Sequence, residues 1–251
     1  MKLCFIGNSH MVAVREAASE RNSSLDEHIT YVFAPGFDLN ALMVKDGNVV
    51  PGALRARVKF AAGVNSASVR LDDYDAFVIV GLRFYVGACT TIYRDFRLWE
   101  HAAPKSALLS DAAFRHAVAG ALGDTEALTI ARRIREHTHK PILIVPQPSP
   151  LETIMVRDLS TPRARRGNAL WGPLFDPACA ERLYSVYVSA AASACRDCDV
   201  TFLPQPAETL SGAFTKREFQ RDKIDDIRHM NSAYGDHIIA QLRHAVMPDQ
   251  G

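Results

Sequence analysis

Five short apolar runs, spread along the chain, constrain the possible folds more than any other feature. Each run is followed at once, or one residue later, by Gly or Pro. Strands of a parallel sheet form such continuous apolar runs because helices cover both faces of the sheet. The sequence therefore predicts five buried strands. They are Leu3–Ile6, Ile29–Phe33, Ala76–Val80, Ile142–Val145 and Val200–Leu203.

Helical patterns lie between and after these runs. Apolar residues recur at helical spacing over 127–134, after Asp124 as a candidate N-cap. Asp176-Pro177 is an N-cap followed by a proline in the first helical position, and Ser232 is a candidate cap for a C-terminal helix. Strands that alternate with helices predict an α/β fold, a parallel sheet of about five strands between two helical layers.

A chain of 251 residues with 48% hydrophobic and 23% charged residues fits one domain with a sizeable core. We therefore predict a single domain over 1–251. Two regions interrupt the alternation. The stretch Lys45–Pro51 predicts a small hairpin insertion near 45–70, and an aromatic and polar stretch near 84–105 predicts a lid-like segment.

The bulk properties argue against several classes of function. A net charge of +1 gives no reason to expect nucleic acid or a membrane surface as a partner. No run approaches the roughly 18 apolar residues of a membrane span, and the first apolar run ends at Asn8, too early for a signal peptide. The odd count of five cysteines fits a reducing compartment, so we expect a cytoplasmic protein.

Two of the cysteines have the spacing of a metal or redox pair, Cys195-Arg196-Asp197-Cys198. A structural zinc site needs four ligands, and no second pair lies nearby in the sequence. We therefore predict reduced thiols at a helix end and no metal site.

Ser9 follows the first predicted strand after a Gly7-Asn8 turn, and it precedes Met11–Ala18, a good helix former. The N-terminus of a helix offers free N–H groups and the positive end of the helix dipole, which favour an oxyanion. The same position also suits a serine that only caps the helix. Near the other end of the chain, Asp226 and His229 are three residues apart. If the fold brings these ends together, the chain holds a nucleophile, a base and an orienting carboxylate.

The Gly7-Asn8-Ser9 turn and the Asp226–His229 pair resemble the first and last sequence blocks of the SGNH (GDSL-type) hydrolase superfamily. The Asn231 and Tyr234-Gly235 that follow the histidine are also similar to that family. The resemblance covers most of the chain in order and spacing. It implies a flavodoxin-like three-layer α/β/α sandwich and a serine hydrolase that uses neither a metal nor an organic cofactor.

The resemblance also implies roles for individual residues. Ser9 would be the nucleophile, His229 the base and Asp226 the carboxylate that orients the histidine. The oxyanion hole would use the N–H groups of Ser9 and Gly36 and a side chain at position 83, where the family has asparagine and this chain has Arg83. An arginine can donate to an oxyanion, bind a carboxylate or phosphate of a substrate, or simply pair with an acid.

Three further residues are expected to contact the substrate: His10, Gln147 and Asn231. Gln147 belongs to one of two Pro-Gln-Pro turns that follow predicted strands, and Gln205 belongs to the other. In open parallel sheets ligands bind at the carboxyl edge, where these turns would lie. Prolines at these places can also serve only to end the strands.

The resemblance predicts a serine esterase that forms an acyl-enzyme on Ser9, in a family that acts largely on lipid, thioester and carbohydrate esters. Because the sequence shows no long apolar lid or acyl channel, a short-chain acyl ester on a carbohydrate is the expected substrate. Two alternatives stay open. An acyltransferase would pass the acyl group to a sugar hydroxyl instead of water. A non-catalytic SGNH-like domain would bind a glycan or a partner without turnover, a possibility that Arg83 raises.

Overall fold

The structure is a computed structural model that describes residues 1–20, 29–33, 42–52, 59–61, 68–98, 107–156, 171–221 and 226–246. It is a mixed α/β structure. Its helices are α1 (Met11–Glu20), α2 (Gly87–Asp95), α3 (Asp111–Gly123), α4 (Glu126–Arg135), α5 (Pro177–Arg196) and α6 (Ser232–Val246). Its strands are β1 (Leu3–Gly7), β2 (Ile29–Phe33), β3 (Leu42–Lys45), β4 (Asn48–Pro51), β5 (Lys59–Ala61), β6 (Val69–Arg70), β7 (Ala76–Val80), β8 (Phe96–Leu98), β9 (Ala107–Leu109), β10 (Ile142–Val145), β11 (Thr201–Phe202), β12 (Leu210–Ser211) and β13 (Phe214–Thr215).

The central sheet has the order β11-β10-β7-β1-β2-β5. Its first five strands pair in parallel, which confirms the predicted five-strand parallel sheet, and β5 adds an antiparallel edge to β2. In the register of the sheet, Gly7 lies beside Val80, and Val80 lies beside Val145. The turns after β1, β7 and β10 therefore lie side by side at one edge.

Helices flank the sheet, and one contact between them depends on a glycine. Gly235 of α6 packs directly on α1, where a Cβ on Gly235 would lie 2.1 Å from the carbonyl oxygen of Ala13. α6 follows His229 and α1 follows Ser9. The contact between the two helices therefore helps to bring the ends of the chain together.

The structure confirms one of the three predicted helix caps. Asp176 caps α5 as expected, and its side chain accepts a hydrogen bond from the N–H of Ala178. Two other predicted caps are wrong by one residue. Thr125, not Asp124, precedes α4, and Asn231, not Ser232, accepts the N–H of Tyr234 at the start of α6.

The inserted hairpin lies over Leu42–Pro51, where β3 and β4 pair in antiparallel fashion and β6 adds a third strand. Its turn, Asp46-Gly47, has positive φ at both residues, as a tight two-residue hairpin turn requires. The stretch near 84–105 contains α2 and β8, and residues 99–106 lie outside the described part of the chain. Its role as a lid stays a prediction.

Candidate active site

The turn after β1 holds Ser9 at the start of α1. Met11 N–H donates to the carbonyl of Asn8 at 3.0 Å, and Val12 N–H donates to the carbonyl of Ser9 at 3.2 Å. Gly7 is required where β1 approaches β7, because a Cβ there would lie 2.5 Å from the Val80 carbonyl oxygen. Ser9 itself is exposed. The local sequence therefore presents the hydroxyl to solvent on a fixed turn.

The fold brings Ser9, His229 and Asp226 into one hydrogen-bonded chain. Ser9 Oγ lies 2.8 Å from His229 Nε2, and His229 Nδ1 lies 2.6 Å from Asp226 Oδ2. Both distances suit strong hydrogen bonds. Serine, histidine and aspartate follow one another in the same order as in a catalytic triad. In a triad, the carboxylate orients the histidine and the histidine takes the proton of the serine.

Asp226 is held in its ionised form by the backbone around it. Burial by itself would raise the pKa of Asp226, but hydrogen bonds to its carboxylate outweigh that effect and lower the pKa below its ordinary value. The donors are the N–H groups of Arg228 and His229, each 3.1 Å from Oδ1, and the His229 ring. An ionised Asp226 accepts the Nδ1–H of His229, which leaves Nε2 free to accept the Ser9 proton.

The loop that carries Asp226 and His229 is tied to the turn after β10. Leu151 N–H donates to the carbonyl of Ile227 at 3.0 Å, and Thr215 N–H donates to the carbonyl of Pro150 at 3.0 Å. The first bond holds the histidine loop against the turn after β10, and the second joins β13 to the same turn. The base therefore owes its position to contacts between segments that are far apart in sequence.

The side chain of Gln205, from the second Pro-Gln-Pro turn, links the turn after β10 to β13. Its buried side chain accepts the N–H of Ser149 at 2.8 Å and donates to the hydroxyls of Thr209 and Thr215 at 3.1 and 3.0 Å. Gln205 is thus a structural residue. Gln147 of the first turn is also buried, and its N–H donates to the carbonyl of Phe84 at 2.9 Å, so it lies against the loop that carries Arg83.

Residues 81–83, at the end of β7, form an unusual turn beside Ser9. Gly81, Leu82 and Arg83 all have positive φ, at 74°, 47° and 64°. This conformation costs free energy at a residue with a Cβ, and it is found at functional sites more often than elsewhere. A Cβ on Gly81 would lie 2.6 Å from Asn8 Oδ1, so the turn packs directly against the Ser9 turn.

Arg83 forms an ion pair with Glu126, at 3.3 Å between Nη1 and Oε1. Glu126 is buried in the first turn of α4, and its second oxygen, Oε2, is buried without a hydrogen-bond partner among the described residues. The Arg83 side chain is 56% exposed. Arg83 therefore pairs with an acid, which is one of the three alternatives that the sequence left open. Glu126 anchors the guanidinium, and part of the Arg83 side chain is still exposed.

Tyr85 and Trp171 lie next to this ion pair. Burial raises the pKa of the Tyr85 hydroxyl, and the positive charges of Arg83 and Arg228 act in the opposite direction. The Tyr85 ring packs edge-on against Trp171, with centroids 5.9 Å apart. Trp171 is buried, so its ring serves packing here.

The other predicted site residues have different outcomes. His10 stacks on the His229 ring. Asn231 uses its side chain within the fold: Nδ2 donates to the carbonyl of Glu218, and Oδ1 accepts the N–H of Tyr234. Asn231 is therefore a helix cap. Gly36 lies outside the described residues, and its place in the oxyanion hole stays a prediction.

Sequence reasoning did not identify Gly81 or Glu126 as parts of the site. The signal for Gly81 was its position immediately after the β7 run. Nothing in the local sequence pointed to Glu126, because an acid in the first turn of a helix ordinarily faces solvent.

Two further findings concern possible metal sites and membrane spans. The described residues contain no group of three or more His, Cys, Asp or Glu side chains arranged to hold a metal ion, and both Cys195 and Cys198 are free thiols. Within the same residues, no helix is long and apolar enough to cross a membrane.

No family model and no curated protein matches the chain. Among solved structures, a DUF4886 family protein from Bacteroides uniformis ATCC 8492 is similar, with a TM-score of 0.44 and 12% sequence identity over 98% of this chain and 83% of that chain. A similarity of this size carries no argument about function. The relation to the SGNH superfamily stays a prediction from the sequence motifs.

Proposed function

We propose that this protein is a serine hydrolase that cleaves ester bonds through an acyl-enzyme on Ser9. The observation that carries the proposal is the hydrogen-bonded chain from Ser9 Oγ through the His229 ring to Asp226, with distances of 2.8 and 2.6 Å. The exposure of Ser9 adds support, because a substrate has access to its hydroxyl.

In the proposed mechanism, Ser9 Oγ attacks the ester carbonyl carbon while its proton moves to His229 Nε2. The tetrahedral intermediate then expels the alcohol, which takes that proton from Nε2, and the acyl group stays on Ser9. Water next gives a proton to Nε2 and attacks the acyl carbonyl, and the acid leaves as Ser9 regains its proton. Asp226 stays ionised throughout and stabilises the imidazolium.

The oxyanion needs hydrogen-bond donors near Ser9. The Ser9 N–H donates to no acceptor among the described residues, and it lies at the start of α1, where the helix dipole favours negative charge. We assign Arg83 as a second donor, because the 81–83 turn packs against the Ser9 turn and Glu126 anchors one side of the guanidinium. Loss of one such donor lowers kcat by about 100- to 1000-fold in well-studied hydrolases.

Hydrolysis is favoured over acyl transfer because an exposed Ser9 leaves the acyl-enzyme open to water. A short-chain acyl ester on a carbohydrate is the substrate class to test first, because the sequence shows no long apolar lid or acyl channel. A role in binding without turnover is less favoured, because binding alone does not require a serine, a histidine and an aspartate joined in this order.

The decisive experiment is labelling with a fluorophosphonate probe, together with hydrolysis of 4-nitrophenyl acetate and of an O-acetylated sugar. We expect labelling and turnover with the wild type and with Ser185→Ala, a control at an exposed serine of α5. Ser9→Ala is expected to abolish both, and His229→Ala is expected to lower turnover by at least about 1000-fold. Labelling that persists in Ser9→Ala would refute Ser9 as the nucleophile. No labelling or turnover of the wild type would favour the binding role.

A sugar acceptor added to the same assay separates hydrolysis from transfer. A hydrolase should release mainly the free acid, and the acyl group should not accumulate on the added sugar. Transfer to the sugar as the main reaction, in excess water, would show an acyltransferase instead.

A further inference from the structure

The ring of His10 lies face to face with the ring of His229. The two centroids are 4.9 Å apart, and the ring planes differ by 20°. His10 directly follows Ser9 in the sequence, whereas His229 lies on the loop that carries Asp226. The stacked pair therefore joins the nucleophile turn to the histidine loop, beside the bond between Ser9 and His229.

The surroundings of His10 fix its orientation. Its N–H donates to Asn8 Oδ1 at 3.2 Å. A Cβ on Gly81 would lie 3.2 Å from Cδ2 of the His10 ring, so the glycine leaves just enough room for the imidazole. The backbone of Arg228 lies near the ring on the side of the histidine loop, where it acts to raise the pKa of His10.

The two ring nitrogens of His10 differ in their surroundings. Nδ1 is buried and has no hydrogen-bond partner among the described residues. A buried N–H without an acceptor is costly, so the proton belongs on Nε2, where it is available to the Arg228 backbone. The His10 ring therefore makes neither of the hydrogen bonds that the His229 ring makes to Ser9 and Asp226.

His10 is uncharged under ordinary conditions. Burial lowers its pKa to about 3, and the nearby His229 ring and the charge of Arg228 act in the same direction. Asp226 and the backbone of Arg228 act against this shift but do not overcome it. Burial is the largest of these influences on the pKa of His10.

We propose that His10 is a positioning residue of the active site, whose ring stacks on His229 and holds the imidazole plane in line with Ser9 Oγ and Asp226. This inference rests on the proposed hydrolase function. The two hydrogen bonds of His229 lie in its ring plane and restrain its tilt only weakly, whereas a ring packed on its face blocks that motion. A neutral aromatic face also tolerates the imidazolium that forms when Nε2 takes the proton, whereas a second cation would repel it.

The test compares His10→Ala, which removes the ring, with His10→Phe, which keeps a flat, uncharged aromatic ring that is somewhat larger. We expect His10→Ala to lower kcat by about 10- to 100-fold while KM changes by less than about threefold, because the base is misplaced and substrate binding is unaltered. His10→Phe should restore kcat to within about threefold of the wild type, since stacking alone is required. His116→Ala, at an exposed histidine of α3, is the control and should leave kcat unchanged.

A second readout does not depend on turnover. The Nδ1 proton shared between His229 and Asp226 should give a far-downfield proton resonance in the NMR spectrum of the wild type and of His10→Phe. In His10→Ala we expect this resonance to broaden or disappear. If the wild type shows the resonance but hydrolyses no ester and takes no fluorophosphonate label, the proposed function fails while the positioning role of His10 is still tested.

Three results would overturn the inference. One is a His10→Ala protein with wild-type kcat and an unchanged downfield resonance. Another is a His10→Phe protein as inactive as His10→Ala, with the same melting temperature as the wild type. If His10→Ala fails to fold, nitrogen NMR of the wild type at pH 5 decides the matter, because a charged His10 ring at that pH would contradict the neutral stacked arrangement.

Discussion

The ion pair between Arg83 and Glu126 leads to an asymmetric prediction: loss of the arginine should cost more stability than loss of the glutamate charge. Arg83 Nη1 lies 3.3 Å from Glu126 Oε1, and the exposed fractions of the two side chains are 56% and 6%. Without Arg83, Glu126 keeps a buried charge with no partner. Without the charge on Glu126, Arg83 still has water around it.

The size of the effect follows from the distance. Two unit charges 3.3 Å apart attract by about 5 kcal/mol at an effective dielectric constant of about 20, and by about 1 kcal/mol in bulk water. Because Arg83 is half-exposed, the attraction between the two charges lies between these limits. We therefore expect Arg83→Met to lower the free energy of unfolding by about 2–3 kcal/mol and Glu126→Gln by less than about 1 kcal/mol.

Urea denaturation of the wild type, both single variants and the double variant measures these terms. Methionine has a Cβ as arginine has, so the cost of a positive φ at position 83 is similar in both proteins. On the Glu126→Gln background, Arg83→Met should cost less than about 1 kcal/mol, which gives a coupling of about 1–3 kcal/mol. Equal costs for the two single variants, with no coupling between them, would refute the assignment of an anchored guanidinium.

Three other predictions concern residues that hold the site in place. Gln205→Leu should lower the free energy of unfolding by about 2–4 kcal/mol in urea denaturation, because the buried Ser149 N–H loses its acceptor; an unchanged midpoint would contradict this. Gly235→Ala should lower the melting temperature because its Cβ would meet the Ala13 carbonyl at 2.1 Å, whereas Gly120→Ala, with nothing within 4 Å, should raise it slightly. Because the folded-state pKa of Asp226 is depressed, its ionised form stabilises the fold above its ordinary pKa near 3.8, and this contribution is lost as the pH falls through the lower folded value. The stability difference between wild type and Asp226→Asn should therefore shrink below about pH 4, and a pH-independent difference would contradict the prediction.

The sequence by itself determined the five parallel strands of the sheet and the residues of the hydrogen-bonded chain. Five apolar runs predicted the five parallel strands, because strands covered on both faces need no polar alternation. The Gly7-Asn8-Ser9 turn and the Asp226–His229 pair were short motifs, but each was placed at an element boundary that the apolar pattern had already defined.

Only the tertiary structure decided what surrounds Ser9. β7 lies between β1 and β10, and this order places Gly81 against Asn8 and brings Arg83 to Glu126. The stacking of His10 on His229 and the use of Asn231 as a helix cap likewise depend on distant segments. Apolar periodicity and turn residues report the local backbone, whereas the partner of a polar side chain depends on which strands and loops become neighbours, and the local pattern does not encode that.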